Sequence, residues 1–256
     1  MPRAKTYKGT PVINHRWGDR RQYWIGHYQR YGIDLGVYSD SFDQIVKLLA
    51  KRIRNKQQNI LHFGGDTGSG KSTLAIQMCK ALATRLNTTF DLEADYIYGV
   101  EDLWDKLNDP NASPISLFDE ATVTLNRGNA RSRGDRDIVV MFDTMRSRGW
   151  SSFLVSPDIS QINKSVVQIH VNYEFECCSP DTQFVKGIDR GLFEFKDKRI
   201  PRRKANKEPY WNVLTTGYFD PLDDDTDAIY QRIKRERQDA LRQIAIQRNK
   251  KEEGLA

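Results

Sequence analysis

The chain has 256 residues, 29% of them charged, a mean hydropathy of −0.68 and a formal net charge of +6. That length holds one α/β domain with a sizeable core plus appendages. No apolar run approaches the ~20 residues of a membrane span, and the basic start MPRAKTYKGTPV lacks the apolar stretch of a signal peptide. Membrane-spanning and exported classes are therefore set aside. Cys79, Cys177 and Cys178 show no metal spacing, so a reducing cytoplasm is the expected location. The charge is uneven: residues 1–58 carry 12 Lys/Arg against 4 Asp/Glu, residues 59–195 carry 13 against 19, and residues 196–256 carry 15 against 11. Two basic ends around an acidic middle suit either an ordinary solvated surface or basic arms that meet a polyanion.

Residues 1–38 mix basic and aromatic side chains, among them Arg16, Trp17, Arg20, Arg21, Tyr23, Trp24, Tyr28 and Arg30. Such an arm stacks on bases and neutralises phosphates, or packs on the protein's own core or a neighbouring subunit. Residues 41–55 predict an amphipathic helix with Phe42, Ile45, Leu48, Leu49 and Ile53 on one face. Asn59–Phe63 reads as a buried strand ending in a glycine loop. The helix after it carries Leu74, Met78, Leu82 and Leu86 at four-residue spacing. A short helix over 101–108 precedes a second buried strand, Ile115–Phe118. A polar, arginine-rich loop then leads to a helix over 137–148 and a third buried strand, Ser152–Ser156.

Residues 167–177 alternate apolar and polar and predict a half-exposed strand. Leu192–Phe195 and Tyr210–Leu214 predict a hairpin joined by a basic loop from Lys196 to Lys207. A charged helix follows from about Thr226 to Glu252, with Ile229, Ile233, Ala240, Leu241 and Ile244 as a weak apolar face. The expected fold class is α/β: a mostly parallel central sheet flanked by helices, plus a C-terminal β-hairpin and charged helix. The expected organisation is an N-terminal arm and helix over 1–58, an α/β core over 59–196, and a basic hairpin loop and charged helix over 197–256.

The chemistry concentrates at the glycine loop. Gly65, Asp66, Thr67, Gly68, Ser69, Gly70, Lys71 and Ser72 fit G-x-x-x-x-G-K-[ST] in full, with Thr73 in the helix behind. The glycines let backbone N–H groups turn inward around phosphates, and the helix N-terminus adds donors and partial positive charge. In this motif Lys71 reaches the β- and γ-phosphates and the Ser72 hydroxyl ligates Mg²⁺. Asp119, at the end of an apolar strand, suits the same Mg²⁺, and Glu120 suits the role of general base toward water. No N-K-x-D guanine motif and no LSGGQ is present, which leaves ATP as the expected nucleotide.

From Phe63 to Ser165 the chain resembles the HerA/FtsK-like division of P-loop ATPases, closest to small viral genome-packaging ATPases and Zot-like virus and plasmid ATPases. The resemblance is carried by the glycine loop, by FDLEADYIYGVEDLWDKL before the second strand, by DEA followed by Arg127, and by MRSRGW before FLVSPD. It implies Lys71, Ser72, Asp119 and Glu120 in the roles above and a polar sensor where Ser156 stands. It also implies a homo-oligomeric ring, hexamer or pentamer, that acts on double-stranded DNA beside a capsid or portal protein. An arginine acting from the next subunit would come from Arg127, Arg131, Arg133, Arg146 or Arg148, with Arg127 and Arg146 favoured. Arg199, Arg202, Arg203 and Lys204 are the expected DNA contacts, through phosphate charge rather than base edges. The expected function is an ATP-driven DNA-translocating motor for genome packaging. The alternatives are a plasmid or mobile-element ATPase for transfer or partition, a nucleotide-dependent switch that scarcely turns over, and a small-molecule kinase.

Overall fold

The computed structural model describes residues 39–125, 133–178, 191–199, 210–219 and 221–253. The aromatic-basic arm, Arg127, Arg131, Arg202, Arg203 and Lys204 lie outside the described residues. In chain order the elements are α1 (Ser39–Arg54), β1 (Asn59–Gly65), α2 (Lys71–Leu86), α3 (Val100–Asn108), β2 (Ile115–Phe118), the single turn α4 (Ala121–Thr124), α5 (Arg133–Arg148), β3 (Ser151–Val155), β4 (Tyr173–Cys178), β5 (Gly191–Arg199), β6 (Tyr210–Phe219) and α6 (Asp224–Glu253).

The six strands form one sheet in the order β2-β3-β1-β4-β5-β6. β2, β3, β1 and β4 run parallel, whereas β5 and β6 continue the sheet antiparallel. β1 therefore lies in the interior, and both its faces must be apolar. Leu61 and Phe63 join the core under α1 and α2, while Ile60 joins the one under α3 and α5. On the first face a ladder of rings crosses four strands. Phe63 stacks on Phe153 at 5.7 Å and on Phe175 at 4.7 Å, and Phe175 meets Phe195 at 4.8 Å. Each such pair adds about 0.5–1.5 kcal/mol beyond its buried area.

Three parts of the sequence reading are corrected. The alternation over 167–172 does not form a strand: Val166–His170 is a π-helical turn, and β4 begins only at Tyr173. Val166, His170 and Val171 are buried while Ile169 is 57% exposed, so the helical spacing sorts the side chains and the two-residue period is coincidental. The turn's carbonyls are met by Lys198, whose Nζ donates to Val167 O and Gln168 O at 2.9 Å each. Second, α5 starts at Arg133, before the expected position.

Third, the basic loop begins later than Lys196. Lys196, Asp197 and Lys198 belong to β5, and Lys196 is buried among Glu174, Glu176 and Glu194. Burial pushes the Glu174 carboxyl up, but the His62 hydrogen bond and the Lys196 charge outweigh it and hold the carboxyl below its usual range. That stabilisation is present above the unfolded pKa and is lost as pH falls through the folded one. Lys196→Ala leaves these carboxylates uncompensated and is expected to cost about 3–5 kcal/mol in urea denaturation at neutral pH. The deficit is expected to shrink on acidification, because protonation removes the charge Lys196 neutralises. A variant as stable as the parent at pH 7 contradicts this account.

Candidate functional site

Because β1, β2, β3 and β4 are parallel, the segments leaving their C-terminal ends share one edge of the sheet, the edge where α/β folds place ligands. After β1 the chain turns through Asp66–Gly70 into α2. Gly65 (φ 128°), Gly68 (φ 80°) and Gly70 (φ 81°) lie in conformations that favour glycine. At Gly65 a Cβ would stand 2.1 Å from the Cys177 carbonyl oxygen of β4, so the loop can leave the sheet here only without a side chain. Gly70 caps α2 in the left-handed region, and the first turn then carries Lys71, Ser72 and Thr73.

A cavity of about 400 Å³ opens above this edge. It is lined by Thr67, Gly68, Gly70, Lys71, Ser72 and Thr73 of the loop and helix, Asp119 and Glu120 after β2, and Val155, Ser156 and Pro157 at the end of β3. Gly65, Asp66 and Ser69 shape the loop without lining the cavity: Ser69 N donates to Asp66 O at 3.1 Å, and Gly65 N to Pro157 O at 3.3 Å. Lys71 Nζ donates to Gly65 O at 2.9 Å and to Asp66 O at 2.7 Å. Burial pulls its ammonium below the usual lysine range, opposed by Asp119 and Asp66 and reinforced by Lys234. An anion placed in the cavity would relieve that penalty.

Ser72 Oγ donates to Asp119 Oδ1 at 2.9 Å, so the hydroxyl and carboxylate expected to share a metal meet across α2 and β2. Both are hard oxygen donors, the kind Mg²⁺ prefers. Among the described residues no group of three or more His, Cys, Asp or Glu is placed to hold a metal. Two oxygen donors fit a cation that keeps several of its waters. Glu120 follows in a left-handed backbone conformation (φ 54°) unusual for a non-glycine residue, with its side chain 45% exposed.

Ser156, the expected sensor, lines the cavity from a buried position. Its Oγ lies 2.8 Å from His62 Nε2, and His62 Nδ1 lies 3.3 Å from Glu174 Oε1. A buried polar chain thus joins the cavity to the Lys196 cluster. Of the arginines, Arg146 is exposed in the last turn of α5 and does not line the cavity. Arg148 binds back to Leu107 O with its guanidinium 5.6 Å from the Trp150 ring centroid, and Arg133 opens α5. Arg199 ends β5, which runs antiparallel to β4. It therefore leaves the sheet at the edge opposite the glycine loop.

Four residues at the site escape the sequence reading. Asp95–Ile97 adds a bridge along β2, and Tyr96 OH donates to Asp119 Oδ2 at 3.2 Å. α6 brings Tyr230, Lys234 and Arg237. Tyr230 OH donates to the same Oδ2 at 2.7 Å, Lys234 lines the cavity, and Arg237 donates to the Asp119 carbonyl. The face of α6 that packs is thus Thr226, Tyr230, Ile233 and Arg237, while Ile229 is 36% exposed. Of the expected stripe, Ile233 is buried on this face, and the side chains of Ala240, Leu241 and Ile244 lie outside the described ones; Thr226, Tyr230 and Arg237 were not expected there because all three carry polar heads.

No protein-family model matches the chain, and no curated protein matches it. Solved structures similar to it include the N-terminal domain of zonular occludens toxin from Neisseria meningitidis, with 15% identity over 62% of this chain and 94% of that one and a TM-score of 0.37. The genome packaging NTPase B204 of Sulfolobus turreted icosahedral virus 2 is similar in two complexes. With AMPPCP the values are 11% identity, 66% and 100% coverage and a TM-score of 0.37; with ATP-gammaS they are 13%, 60%, 96% and 0.35. At these values nothing of their ligands or roles transfers to the cavity described above.

The close approach of Gly65 to β4 carries its own expectation. Gly65→Ala places a methyl group against the Cys177 carbonyl at an unfavourable φ and is expected to lower stability by more than about 1 kcal/mol. Urea denaturation measures this. Unchanged stability would mean that loop and β4 are not held at this distance.

Proposed function

We propose that this chain is a Mg-dependent ATPase that works as an oligomeric DNA-translocating motor, of the kind that packages viral genomes. The observation that carries the ATPase part is the convergence of Lys71 and Ser72 from α2 with Asp119 and Glu120 from the end of β2 on one cavity behind a positive-φ glycine loop. The residue order from the glycine loop through DEA and MRSRGW to FLVSPD supports the motor part, as does the basic run between β5 and β6.

In this reading the loop N–H groups and Lys71 bind the phosphates of ATP, with Lys71 exchanging its loop carbonyls for phosphate oxygens. Ser72 and Asp119 hold the magnesium ion, which when bound neutralises charge on the transferred phosphoryl group. Glu120 orients a water molecule and takes its proton as the water oxygen bonds to the terminal phosphorus and the bond to the leaving ADP oxygen breaks. Ser156 lines the cavity beside the loop, its hydroxyl held by His62 and the Asp158 carbonyl. An arginine from a neighbouring subunit would complete the charge stabilisation, worth ~10³–10⁵ in rate in related chemistry. Translocation needs contacts that grip any sequence and release it, which phosphate charge provides.

Lys71→Ala is expected to abolish binding of a fluorescent ATP analogue in a protein that still folds. Glu120→Gln is expected to bind it normally and hydrolyse ATP at least ~10²-fold more slowly, since an amide accepts no proton. Near-normal affinity in the first or a parental rate in the second would place the site elsewhere. Double-stranded DNA of unrelated sequences is expected to stimulate hydrolysis, with the stimulation fading from low to moderate salt. Changing Arg202, Arg203 and Lys204 to Glu is expected to remove that stimulation. Hydrolysis indifferent to DNA at every salt concentration would contradict the motor and favour a nucleotide switch.

A further inference from the structure

α6 is tied at one end to the helix that carries the phosphate-binding residues. Lys80 of α2 binds Thr226 Oγ1 and lies 3.4 Å from Asp223 Oδ2, and Gln77 Nε2 donates to Pro221 O at 3.1 Å. From this anchor the helix runs across the end of β2. Tyr230 and Arg237 stand two turns apart on one face, and both are buried. Tyr230 supplies the 2.7 Å hydrogen bond to Asp119 Oδ2. Arg237 meets three groups of the same corner. Nη1 donates to the Asp119 carbonyl oxygen and lies 3.5 Å from Tyr96 OH, and Nε lies 3.9 Å from Glu120 Oε2. The guanidinium covers the Tyr98 ring at 5.6 Å, while Nη2 is buried with no hydrogen-bond partner among the described residues.

Burying a guanidinium costs several kcal/mol unless its donors are used, so packing α6 against Tyr98 does not by itself call for arginine. What arginine does here is hydrogen-bond the backbone of the Asp119–Glu120 peptide while its charge faces the Glu120 carboxylate at 3.9 Å. That peptide enters a left-handed Glu120, a conformation a free turn would readily leave. Arg237 does not line the cavity, whereas Glu120 does. It stands behind the carboxylate rather than in contact with the space for the reacting atoms.

We infer that α6 is a part of the ATP site supplied by the same chain. Arg237 is a positioning residue that holds Glu120 toward the cavity, and Tyr230 holds Asp119. Hydrolysis then requires Arg237 to be docked behind Glu120, whereas nucleotide binding in the cavity, which Arg237 does not line, does not. This rests on the ATPase reading above.

The test is a double-mutant cycle between Arg237 and Glu120, read by single-turnover hydrolysis beside titration of a fluorescent ATP analogue. Arg237→Gln is expected to bind the analogue within about threefold of the parent and to hydrolyse ATP ten- to a hundredfold more slowly, the scale of a misplaced catalytic group. Arg237→Lys, which keeps the charge but not the fork, is expected to recover part of the rate. In the Glu120→Gln background, Arg237→Gln is expected to cost less than about twofold, because the group it positions is no longer a base. The same loss in both backgrounds, or a parental rate in Arg237→Gln, overturns the inference and leaves the ATPase reading standing. If Arg237→Gln unfolds, the same cycle with Arg237→Lys decides between coupling and independence. A parent that fails to bind Mg-ATP, or a Glu120→Gln variant at the parental rate, is a failure of the ATPase reading itself.

Discussion

Asp119 is buried at the end of β2, and a buried carboxylate is tolerated only where its oxygens are hydrogen-bonded. Here the bonds come from far along the chain. Oδ1 accepts from Ser72 in α2 and from the Glu120 amide, and Oδ2 accepts from Tyr96 beside β2 and from Tyr230 in α6. Satisfying this one group brings together the first turn after the glycine loop, the edge of the sheet and the C-terminal helix. Without the carboxylate, Tyr96 and Tyr230 lose their shared acceptor; without the hydroxyls the buried charge is left unsatisfied.

The sheet makes this convergence possible. Parallel pairing of β1 with β3 and β4 places the glycine loop, Asp119 and Ser156 on one edge. The antiparallel β5 and β6 then extend the sheet beyond β4, and the chain returns into α6 at that same edge. Phe219, the last residue of β6, lies where a Cβ on Gly70 would fall, 2.7 Å away, so the end of the hairpin also buttresses the loop. β5 ends and β6 begins at the far edge of the sheet.

The parts that were legible in the sequence are those governed by local rules. Buried interior strands read as short apolar runs, and positive-φ turns read as glycines, so β1, β2, β3 and the loop were placed within a residue or two. The structure brings Lys71, Ser72, Asp119 and Glu120 to one cavity, as their spacing relative to those strands implies. What was missed depended on tertiary partners. The π-helical turn at Val166–His170 resembles a strand by period, and Lys198 supplies the capping that makes a helical turn affordable. Lys196 counted as loop charge because its partners Glu174 and Glu176 lie on another segment, β4. Of the docking face of α6 only Ile233 was readable as amphipathicity, since Tyr230 and Arg237 are buried through polar heads that meet Asp119 and Glu120.

Amide hydrogen exchange with and without Mg and ATP-gammaS tests the central claim most directly, that nucleotide occupies a site built from the glycine loop, the end of β2 and α6. The account predicts that exchange slows together in residues 65–73, in residues 117–121 and along α6 around Tyr230 to Arg237. Nucleotide that leaves all three segments unchanged, or protects a different part of the chain, would contradict it.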